Sequence, residues 1–293
     1  MTYKLYIGNR LYFSWSIAAY LMFERFGLAD QVKTTVFRPQ TESDVRRHLD
    51  EAGLGHARTL PTAVTPDGAI LNDSMAIAEE LASRHPDIAF WPSNPLARAT
   101  ARALANEMHS SFGGLRSDWP VNLRDTYETR TPPPQIDAEL DRIETLWTHA
   151  REVTQPDGPW LCGAYSLVDA IFAPMAVRLA GYGFQTRPTT KAYVDAHLAD
   201  PALRRWRAMG LANEPRLAHL EVDAPQVPWR GPAMRAAAAV ENGPSENDRC
   251  PYSGLPVTHY MEMNGRIFGF CNAFCRDKTV NDPEAWPKFM ALI

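Results

Sequence analysis

The chain has 293 residues, 45% of them hydrophobic and 22% charged, with a formal charge of -4. That is enough apolar material for two domains, and the absence of a basic run interleaved with aromatics speaks against nucleic acid as a partner. No apolar stretch reaches the roughly 18 residues of a membrane helix. The opening MTYKLYIGNRLYF carries charge within its apolar run and lacks a signal-peptide core, so no membrane partner and a cytoplasmic setting are expected.

In chain order, Tyr3 to Gly8 is rich in Tyr, Leu and Ile and reads as a buried strand. A serine, Ser14 or Ser16, then opens an apolar-periodic helix that ends at Gly27. A second strand is expected over Val32 to Phe37 and a short helix over Glu42 to Glu51. The run LPTAVTPDGAILNDSMAIAEELASRHP reads as strand, Pro-Asp-Gly turn and strand, then a helix entered at Asp73-Ser74 and stopped near Pro86. This order, with a proline introducing the third strand, fits a thioredoxin-like α/β domain over residues 1–86.

From Pro95 onward strand signals disappear, and residues 94–220 read as an all-helical domain. Asn94 to Phe112 is a long helix. After three consecutive prolines, Ile136, Leu140, Ile143, Trp147 and Ala150 share one helical face. Ser166 with Asp169 gives a capping-box signal for the next helix, and Lys191–Leu198 and Pro201–Asn213 read as two shorter ones. His109 has no evident partner and is read as structural, and Cys162 as a small buried hydrophobe. Residues 221–249, rich in Pro and Ala, are expected to be a linker.

Three of the four cysteines fall in the last 44 residues as C-x20-C-x3-C: Cys250, Cys271 and Cys275. The i, i+4 pair can share one metal at a helix start. Cys250 can return to them if MEMNGRIFGFC makes a hairpin about Asn264-Gly265. Ser253 stands where many such knuckles carry a second cysteine. His259 is the best-placed fourth ligand, with Asp248 and water as alternatives. Residues 250–293 are therefore expected to form a small zinc knuckle. The cysteine count and clustering fit a reducing compartment, not a disulfide framework.

Several segments, taken together and in order, resemble the glutathione transferase superfamily, its bacterial and zeta-like serine-type members in particular. They are GNRLYFSWS, LPTAV followed by ILNDSMAIAEEL, the segment from Trp91 to Asn122, and YSLVDAIFAPMAVRL, spanning roughly residues 3 to 220. The tail separately resembles YHS/TRASH-type metal-binding modules, which are treble-clef-like knuckles. The first resemblance implies a thioredoxin-like domain followed by an all-α domain, in a homodimer. It implies an enzyme in which the thiolate of glutathione attacks a small electrophile, by conjugation or by glutathione-dependent isomerisation or reduction.

The same resemblance implies site residues. Asp73 and Ser74 would hold a carboxylate of glutathione. Leu60 would meet its cysteine through a backbone turned by a cis Leu60–Pro61 bond. Ser14 is the expected activator of the thiol, with Ser16 the helix N-cap and second hydroxyl. The first serine of the family's turn falls at Phe13, which lowers the expected activity. Tyr12, Phe13, Met108, Phe112, Arg116 and Tyr182 are the expected electrophile pocket, with Leu115 and Trp119 beside them. The rival expectation is a non-catalytic glutathione-fold protein whose zinc knuckle serves metal sensing or protein binding.

Overall fold

Alternate residues of β1 (Tyr3–Ile7) are buried, with Tyr3, Leu5 and Ile7 turned to the core and Lys4 outward. The computed structural model describes residues 2–39 and 41–293. α1 (Ser14–Glu24) follows, and the chain reverses at Gly27, whose positive φ lets Leu28 N–H donate back to the Phe23 carbonyl at 2.8 Å. β2 (Val32–Val36) lies parallel to β1, and α2 (Glu42–Glu51) is capped by Thr41. β3 (Thr62–Val64) and β4 (Ile70–Leu71) form an antiparallel hairpin about Pro66-Asp67-Gly68. Among the described residues these make a four-stranded sheet of order β2-β1-β3-β4, with α3 (Ser74–Arg84) next in the chain.

Helices then take over. α4 (Pro95–Ser110) starts on Asn94, whose side chain accepts from the N–H groups of Leu96 and Ala97. α5 (Gly113–Asp118) and β5 (Thr126–Tyr127) were not foreshadowed by any sequence signal. α6 (Pro134–Thr154) buries Ile136, Ile143, Trp147 and Ala150 as its periodicity predicts. Every residue of α7 (Leu167–Gly181) is buried, and it packs against α1 and α4. At its start the Asp169 carboxylate accepts from Ser166 N–H, Leu161 N–H and the Tyr193 hydroxyl. α8 (Pro188–Ala199) carries Tyr193 and His197 into the core.

The chain divides into two compact units. The first runs to Leu198 and regains Leu217–Arg230, where β6 (Gln226–Val227) pairs with β5 and Arg230 donates to the carbonyls of Ala180 and Tyr127. The second comprises Ala199–Arg216 and Gly231–Ile293. It contains α9 (Pro201–Asn213), a three-stranded sheet of β7 (Ala238–Val240), β8 (His259–Met263) and β9 (Arg266–Phe270), then α10 (Ala273–Asn281) and α11 (Pro287–Met290).

The segment expected as a linker is thus split, with strands in both parts. α9, read from sequence as part of the helical domain, packs instead on α10. The reason is size. A knuckle of some 40 residues cannot bury both faces of its sheet and helix alone. α9 supplies Ala208 to a core of Met261, Met263, Phe268, Phe270, Trp286 and Phe289, and Arg204 makes two hydrogen bonds of 2.8 and 2.7 Å to Asp282. The Asn264-Gly265 hairpin forms as expected, both residues at positive φ.

Candidate functional site

In the first unit a cleft of about 510 Å³ is lined by Tyr12, Phe13, Ser14, Trp15, Leu60, Arg116, Arg178 and Leu220 among others. Its floor is set by backbone. The Phe13 ring occupies the space that a Cβ on Gly8 would need, which explains the Gly-Asn turn that ends β1. Phe13 is the N-cap of α1, so Ser14 is the first helical residue and reaches the cleft. Ser16 does neither of the things expected of it. It lies inside the helix, fully buried, and its Oγ accepts from Gly8 N–H at 3.1 Å.

Ser14 Oγ accepts a 2.9 Å hydrogen bond from Arg178 Nη2. Arg178 is buried in α7, with its Nε donating to the Trp119 carbonyl at 3.0 Å. Burial, followed by the neighbouring charge of Arg116, pulls its pKa down to about 10, so it is cationic at neutral pH. The Arg116 guanidinium lies 5.0 Å from the Trp15 ring centroid and donates to the carbonyls of His109 and Ser111. Neither arginine has a carboxylate partner among the described residues. The cleft is therefore an anion-seeking surface, and of its hydroxyl residues Tyr12, Ser14 and Ser117 it is Ser14 that Arg178 engages.

The Leu60–Pro61 bond is cis, as the resemblance implies, and Leu60 lines the cleft. At the start of α3, Asp73 is the N-cap and accepts from Met75 N–H at 2.8 Å and Ala76 N–H at 3.1 Å. Its other oxygen sits 2.9 Å from His109 Nε2, so His109 does have a partner and ties α4 to α3. The hydroxyl of Ser74, buried at 3% exposure, has no hydrogen-bond partner among the described residues. A buried polar atom with its bond unmade is costly, which marks Ser74 as a place where a ligand would supply the acceptor or donor.

Of the expected pocket residues, Tyr12, Phe13 and Arg116 line the cleft. Met108, Phe112 and Tyr182 do not; they are core. Tyr182 stacks on Tyr127 at 5.3 Å and its hydroxyl donates to the Pro120 carbonyl. Leu115 and Trp119 are buried as well. The Tyr12 hydroxyl donates to Glu221 at 3.5 Å, and burial, then that carboxylate, raises its pKa, so it is a poor proton source. Cys162 is buried and burial pushes its thiol up to about 12, in keeping with its reading as a packing residue.

In the second unit the sulfurs of Cys250, Cys271 and Cys275 lie within 4.8 Å of one another. Two thiolates about 2.3 Å from one tetrahedral zinc stand roughly 3.8 Å apart; Cys271 and Cys275 are at 3.9 Å. The sulfurs are surrounded by donors. Ser253 Oγ and Asn272 Nδ2 reach Cys271 Sγ at 3.1 and 3.3 Å. Against burial, the backbone N–H groups of Cys271, Ser253 and Tyr252 hold the Cys250 thiol down to about 7. The donor set fits a soft or borderline cation. His259 is not part of the group: it sits on β8 opposite Phe270, with Nδ1 2.9 Å from Thr258 Oγ1. The side chain beside the group is Ser253, through its hydroxyl on Cys271 Sγ. All four cysteines are free thiols, and no helix among the described residues is long and apolar enough to cross a membrane.

Known structures with this architecture can now be set beside it. A glutathione transferase homolog from Burkholderia gl BGR1 with bound glutathione superposes with a TM-score of 0.51 at 21% identity, covering 72% of this chain and 98% of that one. Glutathione transferase Omega 3C from Trametes versicolor gives 0.51 at 18% identity, covering 71% and 88%. The chain has a glutathione-transferase-like fold. In sequence, 52 residues are 43% identical to the probable maleylacetoacetate isomerase of Caenorhabditis elegans; they are 18% of this chain and span 24% of that relative's length. No family model matches the chain.

Proposed function

We propose that the first unit is a glutathione-dependent enzyme whose cleft presents the glutathione thiolate to a small, negatively charged electrophile. The observation that carries this reading is the company kept by Ser14: a hydroxyl beside the wall formed by Leu60, facing two arginines that have no acid of their own. Because Ser14 Oγ accepts from Arg178, its own hydrogen is left to donate to a sulfur, and the guanidinium makes that hydrogen more acidic. Leu60 holds the cysteine of glutathione through its backbone. Asp73 and Ser74 hold the γ-glutamyl end, which supplies the missing partner of Ser74 Oγ. Arg116 and Arg178 orient the anion. Isomerisation of an unsaturated diacid, the class that the name of the C. elegans relative denotes, uses these parts economically, since glutathione is returned at the end of the cycle.

In the second unit we read the three cysteines as a zinc knuckle of YHS/TRASH type, structural for the tail. A homodimer in the reducing cytoplasm completes this reading, and sedimentation equilibrium checks the dimer.

The test of the enzymatic claim is retention on immobilised glutathione followed by turnover with a generic conjugation substrate and with an unsaturated diacid. Wild-type protein is expected to be retained and to turn over the diacid faster. Ser14→Ala should lower kcat by about 10²-fold or more, and Ser74→Ala should raise the KM for glutathione. Retention without turnover, unchanged in Ser14→Ala, would leave a non-catalytic glutathione-binding protein and sink the enzymatic reading. For the tail, metal analysis of protein purified without chelator should find about one zinc per chain, lost in Cys271→Ser.

A further inference from the structure

Three residues beyond Cys275 on α10, the Lys278 side chain runs inward instead of out to water. The residue is 9% exposed. Its Nζ lies 3.8 Å from the centroid of the Tyr252 ring and 4.1 Å from that of Trp286, with Phe274 at 5.7 Å. Among the described residues it has no carboxylate partner. An ammonium taken so far out of water costs several kcal/mol unless negative charge is close by, and ring faces return only part of that. The acids within range of the tail are engaged elsewhere, Asp282 with Arg204 and Asp277 with Arg276. Lys278 stands one helical turn beyond Cys275, and the Tyr252 and Trp286 rings that cage it pack in one cluster with Cys250, Cys271 and Cys275, so the thiols are the groups of this core that can carry negative charge beside it; the other cation in range, Lys288, is exposed to water.

We infer that Lys278 is the built-in counter-charge of the three-cysteine site and matches it to a divalent cation. This rests on reading the three cysteines as metal ligands and adds what that reading leaves open, namely which charge of ion the site is made for. Loading a divalent ion M²⁺ on three thiols gives M(SR)₃⁻ and three protons released to solvent. The product carries one negative charge, and Lys278 brings the half-buried site to neutrality. A monovalent ion on the same thiolates would leave one negative charge unmatched. A trivalent centre would leave the lysine unmatched. Ser253, whose hydroxyl donates to Cys271 Sγ, is neutral and leaves the sum unchanged. Lys278 is thus a positioning and charge-compensating residue, outside the ligand sphere, and its aromatic cage holds it in the cluster that contains the cysteines.

The experiment uses the full-length reduced protein and measures two probes on wild type, Lys278→Met and Lys278→Arg. Zinc affinity is read by competition with a chromophoric chelator at fixed pH. Arsenite binding is read by thiolate-to-arsenic absorbance, for which As(OH)₃ and three thiols give neutral As(SR)₃ and three waters. The expected result is zinc affinity about 10- to 100-fold weaker in Lys278→Met, arsenite affinity unchanged or tighter, and zinc binding restored in Lys278→Arg. Equal zinc affinity in wild type and Lys278→Met overturns the counter-charge role and leaves the metal site standing. Loss of both probes in Lys278→Met makes the lysine a packing residue and overturns it as well. Failure of wild type to bind either probe overturns the metal site itself.

Discussion

Ser14 has one lone-pair acceptor engaged by Arg178 and one hydrogen left to give, which is what the proposed role of thiol activator requires of it. Arg178 went unread from sequence because it sits inside an apolar run, Met175 to Ala180, whose periodicity announces only core. A lone guanidinium in a helix buried at every position was the available signal, since such a charge needs a polar purpose. Arg116 was legible only through the resemblance, which puts it with Met108 and Phe112 in the expected electrophile pocket. Arg116→Gln should lower kcat/KM for an anionic electrophile about tenfold relative to a neutral one, and steady-state kinetics with a matched pair of substrates measures this.

His197 offers a second residue-scale prediction. Its ring packs between Trp160 and Tyr193 at 5.1 and 4.5 Å, with Nε2 unpartnered among the described residues. Burial, then the charge of Arg25, holds its pKa down to about 3. The folded value lies below the unfolded one, so the unfolded chain takes up the proton first, and stability is lost as pH falls below about 6.5. Between pH 7 and pH 5 this amounts to about 2 kcal/mol. Urea unfolding at the two pH values should show that loss in wild type, and His197→Leu should lack it.

Whole elements explain which parts of the sequence were readable. α2, α9 and the β8–β9 hairpin each carry their own punctuation: Thr41 as N-cap with Asp44, Pro201 after Asp200, and Asn264-Gly265 at the turn. β5, β6 and β7 carry none, because a strand of two or three residues shows no periodicity, and α5 opens on two glycines after Phe112 at positive φ. His259 was placed near the cysteines by counting along the chain. Pairing with Phe270 brings its backbone close to Cys271, but the ring engages Thr258. α3 depends on Asp73 twice, for its first N–H groups and for the tie to His109 on α4. Asp73→Ala should cost about 1–2 kcal/mol in thermal or urea unfolding, while Asp73→Asn, which keeps the cap, should cost less.

Taken whole, the molecule is two compact units, and the two proposed chemistries fall one in each. Cys271→Ser is expected to abolish metal binding and lower the unfolding temperature of the second unit, with retention on glutathione unchanged; calorimetry alongside the affinity column checks both. The chain passes between the units at residues 198–199, 216–217 and 230–231. That threading has a consequence for synthesis. α9 is complete at Asn213, yet its partner α10 begins only at Ala273. At a ribosomal pace of about 5–20 residues per second, the apolar side of α9 waits several seconds for its cover, while the first unit finishes once Arg230 has emerged. The nascent chain therefore holds a completed first unit and an uncovered helix at the same time, and a chaperone has a defined interval in which to act.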